Sequence, residues 1–131
     1  EDLPPRDCFC GKRGCVEMYV SGTGLAKDYT LATGQTRTGP QIIDAARAGE
    51  AQAVAALTRL QHRLARTCAN LVNIVDPDIF VVGGGMAALP ELVEHLPPLI
   101  AGYTFSGTAE PVVTRAMFSD SGARGAALLW T

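Results

Sequence analysis

Hydrophobic residues recur every three or four positions between residues 50 and 74, the longest regular pattern in the chain. This spacing matches the period of an α-helix and predicts one long amphipathic helix. Its apolar stripe consists of Val54, Leu57, Leu60, Leu64, Cys68, Leu71 and Val75. The arginines at 59, 63 and 66 lie largely off this stripe, and Pro77 is expected to end the helix.

A short run of β-branched and aromatic residues, Ile79–Val82, follows the long helix. A run this short and continuously apolar is typical of a strand that is buried on both faces in a parallel sheet. The three glycines after it, Gly83–Gly85, open a turn. The pattern then predicts a helix over residues 89–103 broken at Pro97-Pro98, a strand over 111–117 and a helix over 122–130.

Two helical segments precede the long helix. Residues 15–32 are compatible with a helix that is interrupted at Ser21–Gly24, and Thr38 suits the N-cap of a short helix over 40–48. The predicted order along the chain is therefore helices, a strand, a glycine turn, a helix, a strand and a helix. The order predicts an α/β fold with a parallel sheet.

The composition is typical of a soluble globular chain. With 131 residues, 47% of them hydrophobic, the chain can bury one core and forms one domain or part of one. A formal net charge of −2 provides no basic surface for nucleic acid. No apolar stretch is long enough to span a bilayer, so we expect a cytoplasmic protein without membrane contacts.

Three cysteines lie within eight residues near the start of the chain, with the spacing Cys8-x-Cys10-x4-Cys15. Gly11 and Gly14 between them let the backbone turn tightly, so that three thiolates can surround one ion. Zinc prefers soft sulfur ligands in a tetrahedral arrangement. The motif predicts a zinc knuckle whose fourth ligand is a distant residue, a solvent molecule or additional chain.

Disulfide bonds are the alternative use of these cysteines. Two disulfides would require Cys68, which the helical pattern places on an inward face, where it is expected to be a small buried hydrophobe. Cys8 and Cys10 are too close in sequence for an easy bridge. The N-terminus does not resemble a signal peptide, and the spacing and the compartment together favour a metal.

Two further features are candidates for ligand binding. Gly83–Gly85 lie at the carboxyl end of a predicted strand, where a nucleotide can approach the backbone, although the same run also suits a tight turn. They form neither a Walker motif nor a dinucleotide fingerprint. Glu17, two residues after Cys15, suits bidentate hydrogen bonding to sugar hydroxyls, or is a surface residue at a helix N-terminus.

The motifs together resemble the ROK family of sugar kinases and repressors. The matching segments are Cys8-x-Cys10-Gly-x-x-Gly14-Cys15-x-Glu17, Ser21–Gly24, Asn73–Asp78, Val81–Met86 and Ser121–Ala127. They cover nearly the whole chain in the expected order, and the cysteine motif is highly specific. Within the family, the chain is most similar to the bacterial fructokinase (manno-fructokinase) branch, and next to the N-acetylglucosamine kinase branch.

The resemblance implies a two-domain, actin-like ATPase fold of the ribonuclease H-like type, to whose C-terminal part this chain is similar. Residues 1–20 would contain the zinc knuckle and a sugar-binding glutamate, and residues 21–131 a helical and βαβ portion on the nucleotide side. A phosphate-binding loop, a catalytic aspartate and a zinc-binding histidine are expected in a domain upstream. The chain alone is therefore expected to contain no catalytic residue and to be inactive.

The resemblance also implies the roles of the site residues. Sugar hydroxyls would bind Glu17, a structural zinc would bind Cys8, Cys10 and Cys15, and adenosine would contact Gly83, Gly84 and Gly85. The complete protein would transfer phosphate from MgATP to a hexose, with fructose favoured and N-acetylglucosamine or another hexose as alternatives. Strands of the upstream domain would flank Ile79–Val82, so this chain alone is expected to expose an apolar sheet edge, which favours a homodimer or association with other copies.

Transcriptional repressors of the same family are the competing interpretation. They carry the cysteine motif on a similar sugar-sensing fold, joined to a helix-turn-helix that binds DNA. The Ser21–Gly24 segment and the intact Gly83–Gly85 run favour a kinase, because a repressor without ATP chemistry has less need of these glycines. A stand-alone zinc-binding module is less consistent with a chain that resembles enzyme scaffold throughout.

Overall fold

A computed structural model describes residues 5–107, 109, 111–118 and 120–130 of the chain. The helices are α1 (Glu17–Val20), α2 (Gly22–Thr33), α3 (Gly39–Arg47), α4 (Ala51–Val75), α5 (Pro90–Ala101) and α6 (Ser121–Ala127). The strands are β1 (Ile79–Val82) and β2 (Val112–Arg115), and short 3₁₀ helices cover Gly84–Ala88 and Leu128–Trp130. The chain divides into two compact units, Glu1–Leu64 and Ala65–Thr131, and the division falls within α4.

Local sequence signals set the ends of α2 and α3 in the first unit. The predicted cap of α3 is confirmed: Thr38 and Gln41 form a capping box, in which each side chain binds the backbone of the other residue. Gly34 ends α2 in the left-handed region at φ 73° and donates its N–H to the carbonyl of Thr30. The core of this unit consists of Met18, Leu25, Tyr29, Ile42, Ala53, Ala56 and Leu60.

The long helix α4 is confirmed almost to the residue, but the predicted buried stripe is partly wrong. Val54, Leu71 and Val75 are 44%, 45% and 66% exposed. Alanines occupy much of the buried face instead. The residues of α4 that are buried are Ala53, Ala56, Leu60, Ala65, Cys68, Ala69 and Val72.

The second unit contains a parallel pair of strands, as predicted. Ile79 pairs with Val112 and Val82 with Arg115. The prediction that β1 is buried on both faces is wrong, because Ile79 and Val81 are 49% and 61% exposed. The physical reason is that α5 packs mainly against β2, which leaves the side chains of Ile79 and Val81 on β1 exposed.

The helix α5 continues through Pro97 and Pro98, so the predicted break is wrong. Each proline removes one helical N–H, and an interior proline typically costs about 3 kcal/mol. The helix persists because one of its faces is deeply buried, at Leu92, Val93, Leu96 and Ile100.

The final helix begins at Ser121, close to the predicted start, but its α-helical part ends at Ala127. Leu128–Trp130 then form a 3₁₀ helix, and the side chains of both elements are exposed. In the described part of the chain, no helix combines the length and the apolar character needed to cross a membrane.

Candidate functional site

The cysteine segment forms a tight loop that is closed by its own backbone. The amide of Cys8 donates to the carbonyl of Lys12 at 2.8 Å, and the amide of Gly11 donates to the carbonyl of Cys8 at 3.0 Å. The amide of Gly14 donates to the carbonyl of Arg6 at 2.8 Å. Gly11 and Gly14 have φ values of 81° and 73°, a region in which other residues are strained. The glycines therefore let the loop close.

The loop brings three sulfur atoms together, as the sequence predicts. The Sγ atoms of Cys8, Cys10 and Cys15 all lie within 4.8 Å of one another, and those of Cys10 and Cys15 are 3.5 Å apart. Sulfurs at about 2.3 Å from a tetrahedral zinc would be separated by about 3.8 Å. The thiols therefore fit three positions around a zinc ion. All four cysteines of the chain are free thiols in this structure.

The contacts among the thiols shift the pKa values of Cys10 and Cys15 in opposite directions. A hydrogen bond from the Lys12 backbone and, to a smaller extent, the contact with the Cys15 thiol lower the pKa of Cys10. The same contact, with a second one to the Cys8 thiol, raises the pKa of Cys15 to about 11. Cys8 is buried, Cys15 is half-buried and Cys10 is exposed, so the cluster opens towards solvent on the Cys10 side.

Glu17 is joined to the cysteine cluster through continuous backbone. The amide of Met18 donates to the carbonyl of Cys15 at 2.9 Å, so α1 follows directly from the last cysteine. Glu17 is the first residue of α1, and the hydroxyl of Ser21 donates to its carbonyl at 2.6 Å. Its side chain is exposed. The backbone of Glu17 is thus fixed while its carboxylate is accessible to a ligand.

Helix α2 packs against α1 at unusually short range. The hydroxyl of Ser21 accepts a hydrogen bond from the amide of Gly24 at 3.0 Å and caps α2. A Cβ atom at Gly24 would lie 2.8 Å from the carbonyl carbon of Met18 and 2.9 Å from the amide nitrogen of Tyr19. Only glycine fits at this position without moving the backbone that follows Glu17.

A buried carboxylate surrounded by arginines lies behind this junction. Asp28 is 6% exposed and accepts hydrogen bonds from Arg6 Nη2 at 2.7 Å, Arg63 Nη1 at 2.7 Å and Arg59 Nε at 2.8 Å. Burial alone would raise the pKa of Asp28, but hydrogen bonds from Arg63, Arg6 and Arg59 outweigh burial and lower it. The carboxylate is therefore ionised and fully committed to the three guanidinium groups.

Sequence reasoning missed this arginine cluster. Arg59 and Arg63 are four residues apart on α4, and Asp28 lies between the buried residues Leu25 and Tyr29 on α2. A charged residue on the apolar side of a helix requires a partner, and that signal was available in the sequence. The sequence did not indicate which residues are the partners, because Arg59 and Arg63 lie 31 and 35 residues from Asp28.

A second polar network ties the connector after α2 to the start of α4. The hydroxyl of Tyr29 donates to Glu50 Oε1 at 2.6 Å, and Arg37 Nη1 donates to Glu50 Oε2 at 2.8 Å. Both hydrogen bonds lower the pKa of Glu50, and the bond to Glu50 raises the pKa of Tyr29. This network involves neither α1 nor the cysteine loop.

The glycine run occupies the carboxyl end of β1, as predicted. Gly83 is extended, and Gly84 has a φ of 67°, the left-handed conformation that favours glycine. All three glycines are exposed, and a Cβ at Gly84 or Gly85 would meet no described atom within 4 Å. A 3₁₀ helix, Gly84–Ala88, follows instead of an immediate α-helix. The run offers open backbone to a ligand.

Comparison with known proteins identifies the family. The family model described as the ROK family matches residues 2–131, and the chain therefore belongs to the ROK family. It is 40% identical over 128 residues to the N-acetylgalactosamine kinase AgaK of Shewanella sp. (strain ANA-3), which covers 97% of this chain and 42% of that protein. It is 37% identical over 129 residues to the N-acetyl-D-glucosamine kinase of Shigella boydii serotype 4 (strain Sb227), covering 98% and 43%.

Solved structures agree with this assignment. The ROK hexokinase of Thermus thermophilus superposes with a TM-score of 0.79 at 29% identity, over 95% of this chain and 42% of that one. A ROK family glucokinase from Streptomyces griseus, solved with glucose and AMPPNP, gives a TM-score of 0.78 at 27% identity, over 95% and 47%. The α/β fold is thus that of ROK sugar kinases, and the chain spans less than half the length of these relatives.

Proposed function

We propose that the protein containing this chain is an ATP-dependent hexose kinase. The observation that carries the proposal is its 40% and 37% identity, over nearly all of this chain, to two proteins that are themselves sugar kinases. A ROK transcriptional regulator also shares the fold, with a TM-score of 0.66 at 22% identity, but this likeness concerns the fold alone. The relatives therefore favour the kinase over the repressor.

The substrate that the relatives support is an N-acetylated hexosamine rather than fructose. The two similar kinases are named for N-acetylgalactosamine and N-acetyl-D-glucosamine. Fructose, which the motif resemblance favoured, has no support from these relatives and serves as a comparison substrate. We assign N-acetylglucosamine as the first substrate to test.

The described residues would bind the hexose and the nucleotide in distinct ways. The exposed carboxylate of Glu17 would accept hydrogen bonds from two hydroxyls of the hexose, an arrangement that carboxylates favour. The open backbone at Gly83–Gly85 would allow adenosine to approach closely, since these glycines present no side chain. MgATP would be the phosphate donor.

The cysteine cluster would have a structural role in this protein. Zinc held by Cys8, Cys10 and Cys15 supplies a cross-link that fixes the loop when it is bound. The loop continues directly into α1 through the hydrogen bond between Met18 and Cys15, so this cross-link would hold the backbone of Glu17. Phosphoryl transfer also needs a general base, and we assign that role to no residue of this chain.

A substrate panel tests the proposed function. The full-length protein is assayed with MgATP and N-acetylglucosamine, N-acetylgalactosamine, glucose, mannose or fructose, with ADP release measured by a coupled enzyme assay. We expect the highest kcat/KM for an N-acetylated hexosamine. If ADP is released with none of the five sugars, the proposal is wrong.

A matched pair of variants tests the role of Glu17. Losing one charge-assisted hydrogen-bonded group costs about 1.5–3 kcal/mol, so Glu17→Gln should lower kcat/KM for the hexose roughly 10- to 150-fold. Glu94→Gln, which also changes an exposed glutamate on a helix, should keep wild-type kinetics. Equal kinetics in the two variants would contradict the assignment of Glu17.

A further inference from the structure

Arg6 contacts three different parts of the first unit. Its Nη2 donates to Asp28 Oδ1 on α2 at 2.7 Å, while its Nη1 donates to the carbonyl of Met18 on α1 at 2.9 Å. Its own carbonyl accepts the amide of Gly14 at 2.8 Å, which closes the cysteine loop. One residue therefore connects the loop, the helix of Glu17 and the buried carboxylate.

The aromatic ring of Tyr19 holds Arg6 in this position. The hydroxyl of Tyr19 accepts the backbone amide of Arg6 at 3.0 Å, and the Arg6 guanidinium lies 4.6 Å from the ring centroid. The guanidinium of Arg63 lies 5.6 Å from the same ring. Stacking on an aromatic face restricts the rotation of a guanidinium group, so the fork of Arg6 is held in one orientation.

Asp28 connects this junction to α4. Arg59 and Arg63 donate to it from α4, and the side chains of Asp28, Arg6 and Arg63 are 7%, 10% and 10% exposed. One carboxylate thus lies between three guanidinium groups, and the side chains of two of these arginines, Arg6 and Arg63, are largely buried. Without it, three like charges would face one another, and the contact between α4 and the segment that includes Arg6 would open.

We propose that Arg6 and Asp28 are positioning residues for the hexose site, acting through the backbone on both sides of Glu17. Arg6 holds the carbonyl of Met18, the residue after Glu17, and it also holds the loop that precedes Glu17. Asp28 fixes the orientation of Arg6. The part of this inference that concerns Glu17 rests on the proposed function.

The substitution Arg6→Lys isolates the bridging role from the charge. Lysine keeps the positive charge beside Asp28, but its single nitrogen cannot occupy the two positions from which Nη1 and Nη2 bind Met18 and Asp28. Asp28→Asn removes the charge at nearly constant shape. Glu50→Gln is the matched control, because it changes a carboxylate that also binds an arginine but belongs to the separate network.

Kinetics of the full-length protein distinguish positioning from general stability. In Arg6→Lys and Asp28→Asn we expect the KM for the hexose to rise at least about tenfold, while the KM for ATP changes less than about twofold. Glu50→Gln should keep both KM values. Loss of stability alone would lower the active fraction, and therefore the apparent kcat, without changing the KM for the hexose. A wild-type hexose KM in both variants overturns the proposal.

Amide hydrogen exchange decides the inference independently of the kinase reaction. Relative to peptides covering residues 90–101, peptides covering residues 8–24 should exchange at least about tenfold faster in Arg6→Lys and Asp28→Asn than in Glu50→Gln, since general destabilisation would speed both segments. If the wild-type protein phosphorylates no hexose, the proposed function fails, and exchange alone then decides the positioning role. Equal exchange of residues 8–24 relative to residues 90–101 in all three variants overturns it.

Discussion

Replacement of Gly24 by alanine should destabilise the contact between α1 and α2. A Cβ atom at this position would lie 2.8 Å and 2.9 Å from the carbonyl carbon and oxygen of Met18, and 2.9 Å from the amide nitrogen of Tyr19. These are backbone atoms, which cannot rotate away as the end of a flexible side chain can. The helices themselves must therefore move apart.

Two opposing terms determine the size of the effect. Carbon contacts are optimal at about 3.5–4.0 Å, so a contact at 2.8 Å requires a displacement of about 0.7 Å. Overpacking of this kind typically costs about 1–3 kcal/mol, and a clash with backbone belongs at the upper end. The gain in helix propensity from glycine to alanine is at most about 1 kcal/mol. The net expectation for Gly24→Ala is a loss of about 2 kcal/mol.

Gly22→Ala provides the control, because it adds the same methyl group to the same helix. A Cβ at Gly22 would meet no described atom within 4 Å, so the stability of this variant should stay within about 0.5 kcal/mol of wild type. Thermal unfolding of the full-length proteins measures the difference. We expect Gly24→Ala to melt about 4–8 °C lower, the shift that 2 kcal/mol produces in a domain of about 150–250 residues. Equal melting temperatures of the two variants would refute the reasoning.

Further predictions concern acid stability and the metal. The lowered pKa of Asp28 gives stability that is fully present above the ordinary aspartate pKa of about 3.9 and is lost as pH falls from there through the folded-state pKa. Asp28→Asn should therefore be about 3–5 kcal/mol less stable than wild type near pH 7. In denaturant titrations this difference should shrink below about pH 4. A difference that stays constant down to about pH 2 would contradict the prediction. Cys15→Ser should lower the zinc content of the purified protein, measured by elemental analysis, whereas Cys68→Ala, which changes a buried thiol on α4, should keep it. The prediction of a zinc knuckle would be contradicted if the zinc content fell equally in both variants or fell in neither.

Features written in local sequence were predictable. The length of α4 follows from its periodicity, and the start of α3 follows from Thr38, whose capping hydrogen bonds involve only neighbouring residues. The cysteine loop was predictable for the same reason, since Gly11 and Gly14 allow the turns that bring the sulfurs together. Each of these features depends on residues within a few positions of one another.

Features that depend on packing were not predictable in the same way. The break expected at Pro97-Pro98 does not occur, because burial of Leu96 and Ile100 outweighs the lost backbone hydrogen bonds. The exposure of Ile79 also follows from which elements cover the sheet, and no local pattern contains that information. The roles of Glu17 and of the glycine run remain predictions for the experiments above.

The misplaced stripe of α4 and the missed arginine cluster have one physical origin. The prediction gave weight to large apolar side chains such as Val54, whereas alanines such as Ala56 form much of the buried face beside the correctly predicted Leu60. Arg59 and Arg63 lie three and seven positions after Ala56, and residues at these spacings share one side of a helix. If the face of α4 that carries Ala56 is taken as the buried one, Arg59 and Arg63 lie at its border. Guanidinium groups at the border of a buried face need a carboxylate partner. Asp28 meets that requirement, and its hydrogen bonds to both arginines account for an acidic residue in the interior of this unit.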